Sequence, residues 1–306
     1  MALPPTWRWK LDRWKETLRG LFTSPKEEGR PRLCPACGRL VGANATKCHE
    51  CGADLRFSLA AASRSLSSWM PASSPVSYFI LGINFFFFAI CLAATLQAGG
   101  GFSLLGSVRG DVLLRLGARQ AYFIFQGELW RLVMPIFLHG SLLHLGMNCF
   151  ILMDIGRQVE ELYGSSRYLF LYIFTGIASF IVSTAWSIYA YGGLGVGVGA
   201  SGALMGLIGV MLAMTSRSRG AMMQMYRSQL VRWLVYIFVF GLLMPGIDNA
   251  AHAGGLAAGY LLGRVMADRE PQSAAERKRA YALGWLAGMI AVVSFAAMLV
   301  SYLRSA

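Results

Sequence analysis

Charge is what this chain has least of. Only 14% of its 306 residues are Asp, Glu, Lys or Arg, about half the share of a soluble domain, while 56% are hydrophobic and the mean hydropathy is +0.50. That composition excludes an ordinary water-soluble globule and points to a chain that crosses a bilayer several times. Acid is scarcer still, with 15 Asp and Glu against 28 Lys and Arg. Cysteine is sparse too, at six residues. The first 33 residues are basic and Trp-rich without a continuous apolar core, and no secretory signal peptide is expected from them.

What is present is a series of long apolar runs, at 77–97, 132–155, 167–190, 200–215, 229–245, 250–266 and 281–302. Each approaches the length that crosses hydrocarbon, which predicts seven spans and an all-α polytopic membrane fold. With the N-terminus placed in the cytoplasm, 23 of the 28 Lys and Arg fall on inner segments and five on outer ones. The C-terminus then lies on the outer side. A nucleic-acid surface is excluded, because the basic residues form short clusters between spans. A bacterial inner membrane is the expected location.

Ahead of the spans, Cys34-Pro35-Ala36-Cys37 and Cys48-His49-Glu50-Cys51 form two C-x2-C pairs. Four thiolates at this spacing close one tetrahedral site, and a closed site has no open position for catalysis, so a structural Zn2+ on Cys34, Cys37, Cys48 and Cys51 is predicted. The predicted plan is a basic amphipathic segment at 1–29, a zinc ribbon at 30–56, a Ser-rich flexible linker at 57–76, a core at 77–266, and a cytoplasmic loop with a seventh transmembrane helix at 267–306. The ribbon offers a surface for a protein partner.

Ser201, in Gly199-Ala200-Ser201-Gly202, and His252, in Ala251-His252-Ala253-Gly254-Gly255, both open apolar segments that enter from the same side. Ionisable and polar groups inside a bilayer cost free energy unless they pair or line a wet cavity, so the two together predict a nucleophile and its base. Gly255, Gly259 and Gly263 recur every fourth residue and would let the His helix approach the Ser helix closely. His144 and Asn148, four apart, share a helix face and both can donate hydrogen bonds. Asp248 invites a triad, yet its place one turn before His252 suits an N-cap.

Glu128-Leu129-Trp130-Arg131, His139, His144, Asn148, the Gly-Ala-Ser-Gly run and Ala251-His252 with Gly255 and Gly259 occur in an order and spacing that resemble the rhomboid proteases. Gly156, Glu160 and Gly164 add a G-x3-E-x3-G match. The resemblance covers about 77–266 and leaves out the ribbon. It implies a six-helix core, a Ser201–His252 dyad, an oxyanion hole from His144, Asn148 and the Ser201 backbone N–H, and supporting places for His139, Gly199 and Gly202. It also implies single-span transmembrane substrates cut near the outer face, an outer loop half sunk in the leaflet around Trp130 and Arg131, and no cofactor for catalysis. Met205 departs from relatives that carry an aromatic there to pack on the imidazole. The alternative is an inactive relative that binds membrane clients. A transporter is disfavoured by the absence of inverted repeats or an intramembrane carboxylate pair, and an α/β-hydrolase by the missing five-residue nucleophile elbow.

Overall fold

The computed structural model describes residues 32–34, 39–42, 45–50, 74–101, 108–243 and 246–305. The chain divides into two compact units, Met1–Trp69 and Met70–Ala306. In the first, β1 (Arg32–Leu33) and β2 (Leu40–Val41) pair antiparallel, Arg32 opposite Val41. Cys34 and Cys48 are buried with Val41 in one small cluster. Cys37, Cys51, the 1–29 segment and residues 57–73 of the linker lie outside the described residues.

The second unit is a helical bundle. Its first helix, α1 (Pro75–Gln97), begins with Pro at the position where a missing N–H costs nothing. The helix thus takes the last two residues assigned to the linker. Its first turn is capped from elsewhere: the Glu160 carboxylate, 2% exposed, accepts from the Val76 N–H at 2.9 Å and from the Ser77 N–H and hydroxyl at 2.8 Å each. The same carboxylate accepts from Ser165 Oγ at 2.7 Å. One buried anion therefore ties two helix starts, at Val76 and at Ser165, to its own helix, which gives the G-x3-E-x3-G motif a structural task.

After α1 come two short helices, α2 (Gly110–Arg115) and α3 (Ala121–Phe125), and two 3-10 turns at Leu129–Leu132 and Met134–Phe137. Helix α4 (Leu142–Ile151) starts only at Leu142, capped by Ser141 Oγ accepting from the His144 N–H at 3.1 Å. The single span expected at 132–155 is therefore corrected: its first third is turn structure, because Pro135 lacks a donor and Ser141 supplies a cap. A π-turn, Leu152–Gly156, joins α4 to α5 (Arg157–Tyr163).

The remaining helices are α6 (Ser165–Tyr191), α7 (Ser201–Arg217), α8 (Ala221–Leu243), α9 (Asn249–Val265) and α10 (Ala274–Ser305). Among the described residues, α1, α6 and α10 are long and apolar enough to cross a membrane, and α7 is a shorter apolar helix. Large apolar side chains such as Phe79, Phe85, Phe86, Trp233 and Trp285 face outward. Such surfaces suit lipid and not water, so the chain is an integral membrane protein. The seventh helix is built into the same unit: Phe295 of α10 packs against Phe87 and Phe137, at ring separations of 5.3 and 5.1 Å.

Helix α7 sits deepest, with Gly202 to Met211 all buried. Its glycines and those of α9 interlock. A methyl group on Gly255 would overlap the Gly202 carbonyl, one on Gly259 the Gly206 carbonyl, and one on Gly263 would meet Ala213 Cβ at 2.9 Å. The two backbones touch because neither carries side chains where they cross.

Candidate active site

That crossing sets the distance between two side chains. Ser201 is the first residue of α7, reached by a loop that Gly199 turns at φ +124°, a region only glycine enters easily. The Gly199 N–H donates to the Pro135 carbonyl at 2.8 Å, which pins that loop. His252 lies in the first turn of α9, 5% exposed. Ser201 Oγ and His252 Nε2 are 2.9 Å apart, within hydrogen-bond reach.

Among the described residues, no carboxylate completes a triad. Asp248 caps α9 by accepting from the Ala251 N–H at 2.9 Å, while His252 Nδ1 has no hydrogen-bond partner among the described residues. The reading of Asp248 as an N-cap agrees with this placement.

His144 packs directly over the loop before Ser201, where a Cβ on Gly199 would lie 2.6 Å from its Nε2. Asn148 is buried one turn further on and spends one amide proton on the His144 carbonyl at 2.9 Å. An amide nitrogen carries two, so one remains for another acceptor. His139, for which the resemblance implies a supporting place, is fully buried, its ring edge-on to His144 at 5.2 Å, so it backs the imidazole from the core.

Two contacts were not foreseen. An aromatic does meet the His252 ring, but it is Phe238 of α8, at 6.1 Å and 89°, while Met205 is buried in α7. Only the packing of α8 on α9 could reveal it. The second is Arg119, 4% exposed, which joins the two halves of the site. It exchanges backbone hydrogen bonds with Gly197, both at 2.9 Å, and its guanidinium donates to Gly195 O at 2.8 Å, Ser183 Oγ at 2.6 Å and Asp248 Oδ2 at 3.1 Å. Ser183 Oγ also donates to Asp248. The loop feeding Ser201 and the cap of the His252 helix are therefore held by one buried cation. A lone Arg in a predicted loop gives no sequence signal for this.

Arg131 is similarly buried. It pairs with Glu128 at 2.6 Å, donates to Leu114 O at 2.7 Å and stacks over Phe123 at 4.3 Å, while Tyr122, Phe125 and Leu129 project outward. An element with a pinned interior and an apolar outer edge fits an interfacial position.

A lateral cleft of about 750 Å3 separates α4 from α8, walled by Leu143, Met147 and Phe150 on one side and Leu230, Trp233 and Ile237 on the other. Its end away from Ser201 carries Asp154 and Gln229.

Fold and site together describe a helical membrane protein with a serine and a histidine paired inside the bundle. Residues 126–269 match the Rhomboid domain family. The chain is 35% identical over 155 residues to the rhomboid protease GluP of Bacillus subtilis, covering 51% of this chain and 29% of that protein. It is 36% identical over 159 residues to RHOMBOID-like protein 5 of Arabidopsis thaliana, covering 50% and 49%. It is 28% identical over 205 residues to the rhomboid protease AarA of Providencia stuartii, covering 60% of this chain and 68% of that protein. The chain thus spans about half or less of the length of the first two relatives.

Proposed function

We propose that this protein is an intramembrane serine endopeptidase that cuts transmembrane segments near the outer membrane face with a Ser201–His252 dyad. The observation that carries the reading is the 2.9 Å separation of Ser201 Oγ and His252 Nε2 inside a membrane bundle. With the imidazole proton on Nδ1, Nε2 accepts the hydroxyl proton as Oγ attacks the scissile carbonyl. The proton then passes from Nε2 to the leaving amine, and water, activated by the same nitrogen, releases the acyl group.

Charge developing on the carbonyl oxygen needs donors that are already in place. The Ser201 N–H at the head of α7, the free amide proton of Asn148 and the His144 ring are the candidates, and the helix N-terminus favours the anion as well. Removing one such donor typically costs about 3 kcal/mol of transition-state stabilisation. The lateral cleft between α4 and α8 gives a transmembrane segment a route to Ser201, where it must unwind, since a helical peptide bond is shielded by its own turns. The relatives named as rhomboid proteases support the class of reaction.

The skew of Lys and Arg supports a cytoplasmic N-terminus and an outer C-terminus, as in a bacterial inner membrane. A zinc ribbon there fits Cys34 and Cys48 being buried in one cluster; with Cys37 and Cys51 it would hold Zn2+ as a structural ion, leaving its surface for a protein partner.

The test reconstitutes the full chain in lipid with a tagged single-span substrate. Wild type is expected to cut it, and Ser201→Ala and His252→Ala to lose all cleavage. Undiminished cleavage in either variant refutes the dyad. Binding of the substrate by wild type without any cleavage would establish the client-binding alternative instead.

A further inference from the structure

Along the cleft wall formed by α4 and the π-turn, Leu143, Met147 and Phe150 follow one another at helical spacing, and the next member of the stripe is Asp154. A carboxylate is an expensive choice for that position. Apart from Gln229 the other residues lining the cleft are apolar, and Asp154 is the one ionisable residue among them. Asp154 is exposed, and it forms no ion pair among the described residues. It accepts one hydrogen bond, from Gln158 Nε2 at 2.9 Å, which leaves most of its acceptor capacity unused.

The opposite wall is matched to it. On α8 the apolar residues Ile237, Trp233 and Leu230 give way at the same end of the cleft to Gln229, and one turn further on Tyr226 donates to Gln158 Oε1 at 2.8 Å. Asp154, Gln158 and Tyr226 therefore form a hydrogen-bonded chain linking the two walls, and Asp154 and Gln229 line the polar floor at that end of the cleft. The π-turn, Leu152–Gly156, falls where this carboxylate is presented, and such one-turn bulges recur at functional sites.

We infer that Asp154, with Gln229, is a subsite for a Lys or Arg side chain carried by the transmembrane segment being cut. This inference rests on the proteolytic reading above. An apolar helix seated between Leu143 and Trp233 satisfies the walls but leaves Asp154 without a counter-charge. A cationic side chain at that depth satisfies the floor too, through charge-assisted hydrogen bonds to the carboxylate and the Gln229 carbonyl oxygen. Asp154 lies ten residues beyond His144 in the chain, roughly 15 Å along a helix, so the basic residue belongs about ten residues from the scissile bond.

The experiment uses the full chain in lipid vesicles and a set of single-span substrates with one cleavage region and a polyleucine remainder. A single residue is set to Leu, Lys or Glu at successive positions. Wild type is expected to prefer Lys over Leu by about tenfold in kcat/KM at one narrow range of depth, the scale of one charge-assisted hydrogen bond. Asp154→Asn should bring the ratio close to one, and Asp154→Lys should shift preference to Glu. A flat Lys scan in wild type, or a Lys preference that survives both substitutions, overturns the subsite.

A second readout does not depend on turnover. In the Ser201→Ala background, photocrosslinking of the Lys-bearing segment should exceed that of the Leu segment, and the excess should vanish when Asp154→Asn is added. An excess that persists overturns the proposal. Loss of cleavage of the all-Leu substrate by wild type would count against the protease reading, while the crosslinking comparison still decides the subsite.

Discussion

Replacing Gly255 by Ala tests whether backbone contact between α7 and α9 sets the site. The added methyl would overlap the Gly202 carbonyl oxygen, which is main chain and cannot rotate away. Restoring ordinary van der Waals separation requires the helices to part by roughly 1.5 Å. The Ser201–His252 distance of 2.9 Å would then lengthen to about 4.4 Å, past the limit of a hydrogen bond. A misplacement of that size costs about 100-fold in rate, and overpacking costs about 1–3 kcal/mol of stability. The assay is cleavage of a model transmembrane substrate in lipid, beside thermal unfolding in detergent. Gly82→Ala is the control, because a methyl group there meets nothing within 4 Å, and it should leave cleavage unchanged without lowering the melting temperature. If Gly255→Ala folds and keeps activity within twofold of wild type, the helix approach does not control the dyad and the reasoning fails.

Further outcomes follow from the buried polar groups. Arg119→Leu strips Asp248 of its partner and frees the loop at Gly195 and Gly197; breaking a buried ion pair costs about 3–5 kcal/mol, less here because Asp248 is 27% exposed. Adding Asp248→Asn to Arg119→Leu should recover part of the lost melting temperature without restoring cleavage. Glu160→Gln keeps the shape but loses the charge that binds two backbone N–H groups and two hydroxyls, so the melting temperature should fall by several degrees, read by thermal scan. Chelation of Zn2+ from the N-terminal unit should leave substrate cleavage by the membrane unit within twofold of the untreated protein; a parallel loss would tie the ribbon to catalysis.

Much of the fold was legible because lipid enforces a simple rule. Apolar runs of membrane length must become helices, and their positions at 77–97, 167–190 and 281–302 match α1, α6 and α10 closely. The run at 132–155 misled, since hydropathy does not register a proline or a Ser cap, and turns occupy its first third. Ser201 and His252 stood out because polar groups are rare inside such runs. Phe238 and Arg119 did not, since nothing in composition says which neighbour a ring or a guanidinium will meet.

By itself the sequence determined that this chain enters a bilayer, which residues could serve as nucleophile, base and donors, and that glycine on α9 allows close packing. Only the tertiary structure decided that Ser201 and His252, 51 positions apart, meet at bonding distance, that Asp248 serves Arg119 and a helix cap instead of the imidazole, and that His139 lies behind His144. The physical reason is that side-chain type is local, whereas a distance of a few ångströms between helices is fixed by every residue packed between and behind them.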